Sequence, residues 1–132
     1  DPEGHRKQAM DGAISAEAGL LDIGQETAKL YKNIILAAKT VFVNGPMGVF
    51  EKPETEYGTR VVWQALAETE AYTVLGGGDS ITATEQYGLV DRMGYLCTGG
   101  GALIRFLTGE ELPVVKALRY AARAFPAGQA KE

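Results

Sequence analysis

Short apolar runs alternate with longer amphipathic stretches along most of this chain. Three apolar runs predict strands, at residues 41–43, 72–75 and 95–97. Apolar residues at three- and four-residue spacing predict helices over about 26–39, 57–69, 80–87 and 101–108, and from about 113 onward. Strands that alternate with helices are typical of a parallel sheet with right-handed crossovers. The pattern therefore predicts an α/β fold, a Rossmann-like parallel sheet in three α/β/α layers.

The same periodicity predicts which helix faces enter the core. The stripe of the first helix is Leu30, Ile34 and Ala37, flanked by Tyr31, Ile35 and Ala38. The stripe of the second is Val62, Ala65, Leu66 and Thr69, with Trp63 as a further packing residue. The stripe of the last is Leu112, Val115, Leu118, Ala122 and Phe125. We expect these residues to be buried.

Each predicted strand runs into a glycine-bearing segment. The segments are NGPMGVFE at 44–51, GGGDS at 76–80 and TGGGA at 98–102. The carboxyl ends of parallel strands meet at one edge of a sheet, which is where such folds bind ligands. Glycine lets the backbone approach a ligand closely, and free N–H groups at a helix start face an anion. The three segments together predict a nucleotide site.

Individual residues in these segments allow two interpretations each. Asp79 offers a hard oxygen ligand for Mg²⁺ and the Ser80 hydroxyl can receive a phosphate, or both residues only cap the next helix. Residues 99–101 are either a second bank of N–H donors or a site of tight helix–strand packing. Glu51 suits a ribose diol, or it is a surface glutamate on an ordinary loop.

Composition narrows the class of protein. The chain has 132 residues, of which 45% are hydrophobic, enough for one domain with a core. Its net charge of −4 argues against DNA or RNA as a partner. The single cysteine, Cys97, excludes an internal disulfide, and the only histidine, His5, is expected to be solvated near the terminus. No signal peptide or membrane span is evident, so a cytoplasmic location is expected.

Several common motifs are absent from the sequence. There is no GxxxxGK[ST] segment, which excludes a P-loop protein, and no GxGxxG segment of the usual dinucleotide-binding kind. There is also no serine, histidine and aspartate set and no metal-binding cluster. The chemistry is therefore expected to lie in the glycine segments.

These segments resemble those of the phosphoglycerate kinase family. The resemblance rests on NGPMGVFE at 44–51, GGGDS at 76–80, TGGGA at 98–102 and LPVVKAL at 112–118, in the family's order and approximate spacing. The DIG segment at 22–24 adds to it, and the chain's ending looks like that of archaeal members. The resemblance covers roughly residues 20–125. Ser80 stands where the family commonly has threonine, and Val43 where it often has tryptophan.

The resemblance implies glycolytic and gluconeogenic phosphoryl transfer between 1,3-bisphosphoglycerate and ADP, giving 3-phosphoglycerate and ATP with Mg²⁺. By position, Asn44 lies near the nucleotide phosphates, and Glu51 holds the ribose. The nucleoside pocket is lined by Pro46 and Val49. The Mg²⁺ contact is Asp79. The remaining implied contacts are phosphate contacts at Gly76, Gly77, Gly78 and Ser80, and groups acting on the transferred phosphoryl at Gly78, Gly99, Gly100 and Gly101.

The length implies that the chain is a carboxy-terminal piece of such an enzyme. We expect a connecting segment and turn at 1–25, the last three strands of a six-stranded nucleotide-binding domain at 26–125, and a flexible tail at 126–132. The amino-terminal domain, which binds the phosphoglycerate in this family, is then the missing partner. A nucleotide-binding module without catalysis and a purely structural fragment remain the alternatives.

Overall fold

The structure is a computed structural model that describes residues 19–125. Most of the predicted connecting segment, the predicted tail 126–132 and His5 lie outside the described residues. The helices are Gln25–Ala37 (α1), Tyr57–Glu68 (α2), Gly78–Gln86 (α3), Gly100–Leu107 (α4) and Pro113–Ala124 (α5). The strands are Thr40–Asn44 (β1), Tyr72–Gly76 (β2) and Tyr95–Cys97 (β3). The predicted elements are confirmed, and a short 3-10 turn, Val90–Arg92, is additional to them.

The three strands form one parallel sheet in the order β1-β2-β3. Phe42 of β1 pairs with Val74 of β2, which pairs with Tyr95 of β3. Each strand is followed by a helix, so the connections are the crossovers that the alternating pattern predicts. The predicted parallel α/β fold is confirmed.

The core lies between one face of the sheet and the helices α1, α2 and α3. Its buried apolar residues are Ile35, Val43, Phe50, Val62, Trp63, Ala65, Leu66, Leu75 and Ala83. The indole N–H of Trp63 donates to the Thr84 hydroxyl at 2.8 Å, which joins α2 to α3 inside this core. The predicted inward face of α2 is confirmed, because Val62, Ala65 and Leu66 are buried and Thr69 is half-buried.

The opposite face of the sheet is more open. Phe42, Tyr72 and Tyr95 are exposed on it. A Cβ built at Gly76 would lie 3.0 Å from the Leu103 side chain, so α4 reaches this face at the carboxyl end of β2. Among residues 19–125, no helix combines the length and the apolarity needed to cross a bilayer.

Two predicted helix faces are wrong. On α1, Ile35 is buried but Leu30 and Ile34 are 56% and 58% exposed, because α1 packs its other side on α2. On α5, Leu118 and Phe125 are 64% and 78% exposed. Helical spacing identifies residues that share a face, but it does not identify what covers that face.

Candidate functional site

The three glycine segments meet at one end of the sheet. Asn44, Gly76 and Cys97 are paired in register, so the three strands end at the same level. The Gly77 N–H donates to the Cys97 carbonyl at 2.9 Å, which carries the contact from β2 to β3 one residue beyond the sheet. The predicted convergence of the three segments is therefore observed.

Gly77 and Gly100 allow the second and third segments to touch. Gly77 has φ of +95°, a conformation that residues with a side chain rarely adopt. A Cβ built at Gly100 would lie 2.9 Å from the Gly77 Cα, a distance that real Cβ atoms essentially never show. Gly100 is thus packed against the backbone of Gly77 at the turn between β2 and α3.

The Asn44 side chain brings the first segment into the same contact. Its Oδ1 lies 3.3, 3.7 and 3.1 Å from the Cβ positions built at Gly76, Gly77 and Gly100, respectively. Asn44 itself is exposed. One amide side chain at the end of β1 is therefore adjacent to both glycine segments.

The Ser80 side chain connects the first and second segments. Its hydroxyl is buried, donates to the Gly76 carbonyl at 2.9 Å and accepts the Gly45 N–H at 2.8 Å. Both of these hydrogen bonds are internal to the protein. The hydroxyl fixes the spacing of the two loops.

The amino terminus of α3 opens at this edge. Gly77 is the N-cap residue, and α3 has no side-chain hydrogen bond at its N-cap. The first helical bond is that of the Ile81 N–H to the Gly77 carbonyl, which leaves the N–H groups of Gly78, Asp79 and Ser80 ahead of the helical ladder. Exposed Gly78 and Asp79 stand in this first turn, where the helix dipole favours negative charge.

The amino terminus of α4 lies beside it. The Gly100 N–H donates to the Thr98 carbonyl at 3.0 Å, and the Leu103 N–H donates to the Gly99 carbonyl at 2.7 Å. Gly101 is exposed and a Cβ built there would meet nothing within 4 Å. Of the three predicted donors, Gly99 is half-buried at the N-cap, Gly100 donates within the loop, and Gly101 is exposed ahead of the helical ladder.

The loop between β1 and α2, residues 45–56, carries the other predicted contacts. Pro46 and Val49 are half-buried, and Glu51 is exposed on the turn that follows buried Phe50. The Thr59 hydroxyl, at the start of α2, accepts the N–H groups of Met47 and Gly48 at 3.1 and 3.3 Å. These bonds hold the first half of the loop against the helix.

Asp22 holds the same region from the other side. Its carboxylate accepts the Gly58 N–H in the first turn of α2, at 3.1 and 3.0 Å from the two oxygens. The neighbouring Leu21 carbonyl accepts the Val49 N–H at 2.9 Å. Sequence analysis missed the roles of Asp22 and Thr59, because their partners lie 36 and 11 or 12 residues away and no local motif signals such bonds.

The residues present fit a magnesium ion that arrives with phosphate. Within the described part of the chain, no three His, Cys, Asp or Glu residues are grouped as a metal site. Mg²⁺ is commonly held by one or two carboxylates together with substrate phosphates. Exposed Asp79, beside free helix N–H groups, meets that requirement with a single carboxylate.

Comparison with known proteins gives one consistent family. Residues 2–110 match the family model described as phosphoglycerate kinase. A phosphoglycerate kinase of Nitratidesulfovibrio vulgaris is 48% identical over 105 residues, which are 80% of this chain and 27% of that protein. One of Pyrococcus abyssi is 48% identical over 106 residues, 80% of this chain and 26% of that protein. A bacterial and an archaeal relative thus match equally well.

The structural comparison agrees. The structure of phosphoglycerate kinase from Coxiella burnetii superposes with a TM-score of 0.72 at 41% sequence identity, covering 82% of this chain and 28% of that one. The chain therefore spans between a quarter and three tenths of the length of the relatives that it matches.

Proposed function

The chain belongs to the phosphoglycerate kinase family, and from that premise we propose that it supplies the magnesium-nucleotide side of a phosphoryl-transfer site. The reaction is the reversible transfer between 1,3-bisphosphoglycerate and ADP that gives 3-phosphoglycerate and ATP. The observation that carries the proposal is the meeting of three glycine segments around the Asn44 amide, where three strands end at one level.

The amino terminus of α3 receives the nucleotide phosphates in this proposal. The N–H groups of Gly78, Asp79 and Ser80 precede the first helical bond, and they combine with the positive end of the helix dipole. Gly77 supports the close approach because a side chain is absent at that turn. Asn44 offers an amide beside the same phosphates. The adjacent residues Gly76 and Gly100 have no side chains that would crowd it.

Asp79 is the proposed magnesium ligand. A magnesium ion bound there would neutralise charge on the phosphates. The carboxylate is exposed at the first turn of α3, so it is accessible to a metal–phosphate complex. The N–H of Gly101, an exposed residue ahead of the α4 ladder, is the proposed donor for the transferred phosphoryl group, with Gly99 and Gly100 shaping the turn that presents it.

The loop of residues 45–56 takes the nucleoside. Pro46 and Val49 offer partly apolar contact, and Glu51 offers a carboxylate for the ribose hydroxyls. Phosphoryl transfer asks for positioning and charge neutralisation and little covalent work from the protein. The bonds from Ser80, Thr59 and Asp22 fit this demand because they fix the backbone around the site.

The proposed partner is the remaining part of a longer kinase, which would bind the phosphoglycerate. The fraction of relatives that the chain spans supports this, as do the exposed face of the sheet and the unpaired edge of β1 within the described residues. A cytoplasmic location belongs to the same proposal.

Complementation tests the enzymatic proposal against its alternatives. The chain is mixed with a separately produced polypeptide that corresponds to the preceding part of a relative, and ATP formation from ADP and 1,3-bisphosphoglycerate is followed. We expect turnover that requires both polypeptides and Mg²⁺. Nucleotide binding without turnover would favour a binding module, and neither binding nor turnover would favour a structural fragment.

A further inference from the structure

Helix α3 touches the candidate site at both of its ends. Its first turn lies at the carboxyl end of β2, beside Asn44 and Gly100. Its last residue, Gln86, donates from Nε2 to the Phe50 carbonyl at 3.4 Å. The next residue, Tyr87, donates its hydroxyl to Glu56 Oε2 at 3.3 Å. The helix thus connects the proposed phosphate end of the site to the loop that carries Glu51.

Glu56 is held firmly by its neighbours. Its side chain is only 12% exposed, and it forms an ion pair with Arg60 one turn further along α2. The Arg60 guanidinium lies over the Tyr87 ring, 5.8 Å from its centroid. Burial and the adjacent Glu56 carboxylate raise the pKa of Tyr87 to about 12, so its hydroxyl keeps the proton that it donates at neutral pH.

Glu51 lies between two residues that are held by the last residue of α3 and by the residue that follows the helix. Phe50, immediately before it, is 3% exposed and contacts Gln86 through its carbonyl. Glu56, which ends the loop, contacts Tyr87. Residues 51–54 between these two residues are exposed, and the Thr55 N–H closes a turn onto the Lys52 carbonyl at 3.0 Å. The Thr55 hydroxyl also donates to the Val49 carbonyl at 2.6 Å, so the position of Glu51 depends on this closure and on where Phe50 and Glu56 are held.

We infer that Tyr87 and Glu56, assisted by Gln86, are positioning residues that set the Glu51 loop relative to the phosphate end of the site. The inference rests on the proposed function, in which Glu51 binds the ribose. These residues act through the loop and touch no phosphate, so they affect the nucleoside part of binding and leave the phosphate part unchanged.

The test compares two ligands on Tyr87→Phe, which removes one hydroxyl and keeps the ring. Binding of ADP and of inorganic pyrophosphate is measured by calorimetry with Mg²⁺. We expect ADP to bind about five- to tenfold more weakly, as for loss of one ordinary hydrogen bond, and pyrophosphate to bind unchanged. Tyr72→Phe, an exposed tyrosine at the opposite end of β2, is the matched control and should change neither.

Two Glu56 variants refine the same test. Glu56→Gln keeps an acceptor for the Tyr87 hydroxyl and should preserve ADP affinity within about twofold. Glu56→Ala removes the acceptor and should weaken ADP binding as much as Tyr87→Phe does. Combining Tyr87→Phe with Glu56→Ala should add little further loss, because both changes remove the same bond. Equal weakening of ADP and pyrophosphate would overturn the inference.

Amide hydrogen exchange in the absence of ligand separates the inference from the proposed function. Tyr87→Phe should speed exchange at the amides of the loop, including that of Thr55. Unchanged exchange there overturns the positioning inference whether or not ADP binds. Absence of ADP binding by the unaltered chain overturns the proposed function, and the inference with it. Normal ADP binding by both the unaltered chain and Tyr87→Phe overturns the inference alone.

Discussion

Single backbone and side-chain groups set the geometry of the candidate site. Gly100 leaves no room for a side chain without a shift, because its Cβ would lie 2.9 Å from the Gly77 Cα. The Ser80 hydroxyl forms hydrogen bonds to two backbone groups that belong to different loops. The Asn44 Oδ1 is adjacent to both glycine segments. At this scale the site is a set of close approaches that only particular residues allow.

Gly100→Ala should destabilise the protein by about 1–3 kcal/mol, since the added methyl meets Gly77 backbone that cannot rotate away. Gly101→Ala is the matched control, one residue further in the same helix and facing open space. It should leave the free energy of unfolding within about 1 kcal/mol of the unaltered value. Urea denaturation of the three proteins measures the difference, and equal stability of the two variants would contradict the packing described for Gly100.

Residue types at the site were predictable, but their exact tasks were not. The glycine segments and Asp79 stand out in the sequence because glycine, carboxylate and strand ends have known uses. The burial of the Ser80 hydroxyl was not predictable, because it depends on the Gly45 N–H, 35 residues away. The engagement of the Gly100 N–H by Thr98 likewise depends on a turn geometry that composition does not specify.

Elements were predicted well in their extent and less well in their orientation. Strand composition and helical spacing fix where α2 and β2 lie, since those elements carry much of the core. The stripes of α1 and α5 were misjudged, because Leu30 of α1 and Leu118 of α5 have no cover among the described residues. Periodicity is a local property, whereas burial requires a second surface.

Asp22→Ala tests how α2 is held at its first turn. Both carboxylate oxygens accept the Gly58 N–H, so the change removes a charge-assisted bond and a favourable charge at the helix amino terminus. We expect the free energy of unfolding to fall by about 1–3 kcal/mol, which is observed as a lower midpoint temperature of thermal unfolding. Glu110→Ala, an exposed acid after α4, should leave the midpoint unchanged. A midpoint for Asp22→Ala equal to that of Glu110→Ala would remove this contact from the account.

At the scale of the whole molecule, the residues of the candidate site lie at one edge of the sheet, whereas apolar residues on other surfaces are exposed. The strand ends, the amino termini of α3 and α4, and the loop after β1 all meet at that edge. The sheet face with Phe42, Tyr72 and Tyr95 and the apolar side of α5 are exposed. The chain spans 26–28% of the length of the relatives compared, and the proposal that it supplies one side of a phosphoryl-transfer site agrees with that share.

Calorimetric titration with ADP, in the presence and absence of Mg²⁺, tests the central claim most directly. The account predicts binding to the 132-residue chain that Mg²⁺ strengthens, and loss of the Mg²⁺ effect in Asp79→Asn. Asp91→Asn, an exposed aspartate outside the three glycine segments, should behave as the unaltered chain. A folded chain that binds no ADP, or an Asp79→Asn variant that keeps the full Mg²⁺ effect, would contradict the claim that these loops form a magnesium-nucleotide site.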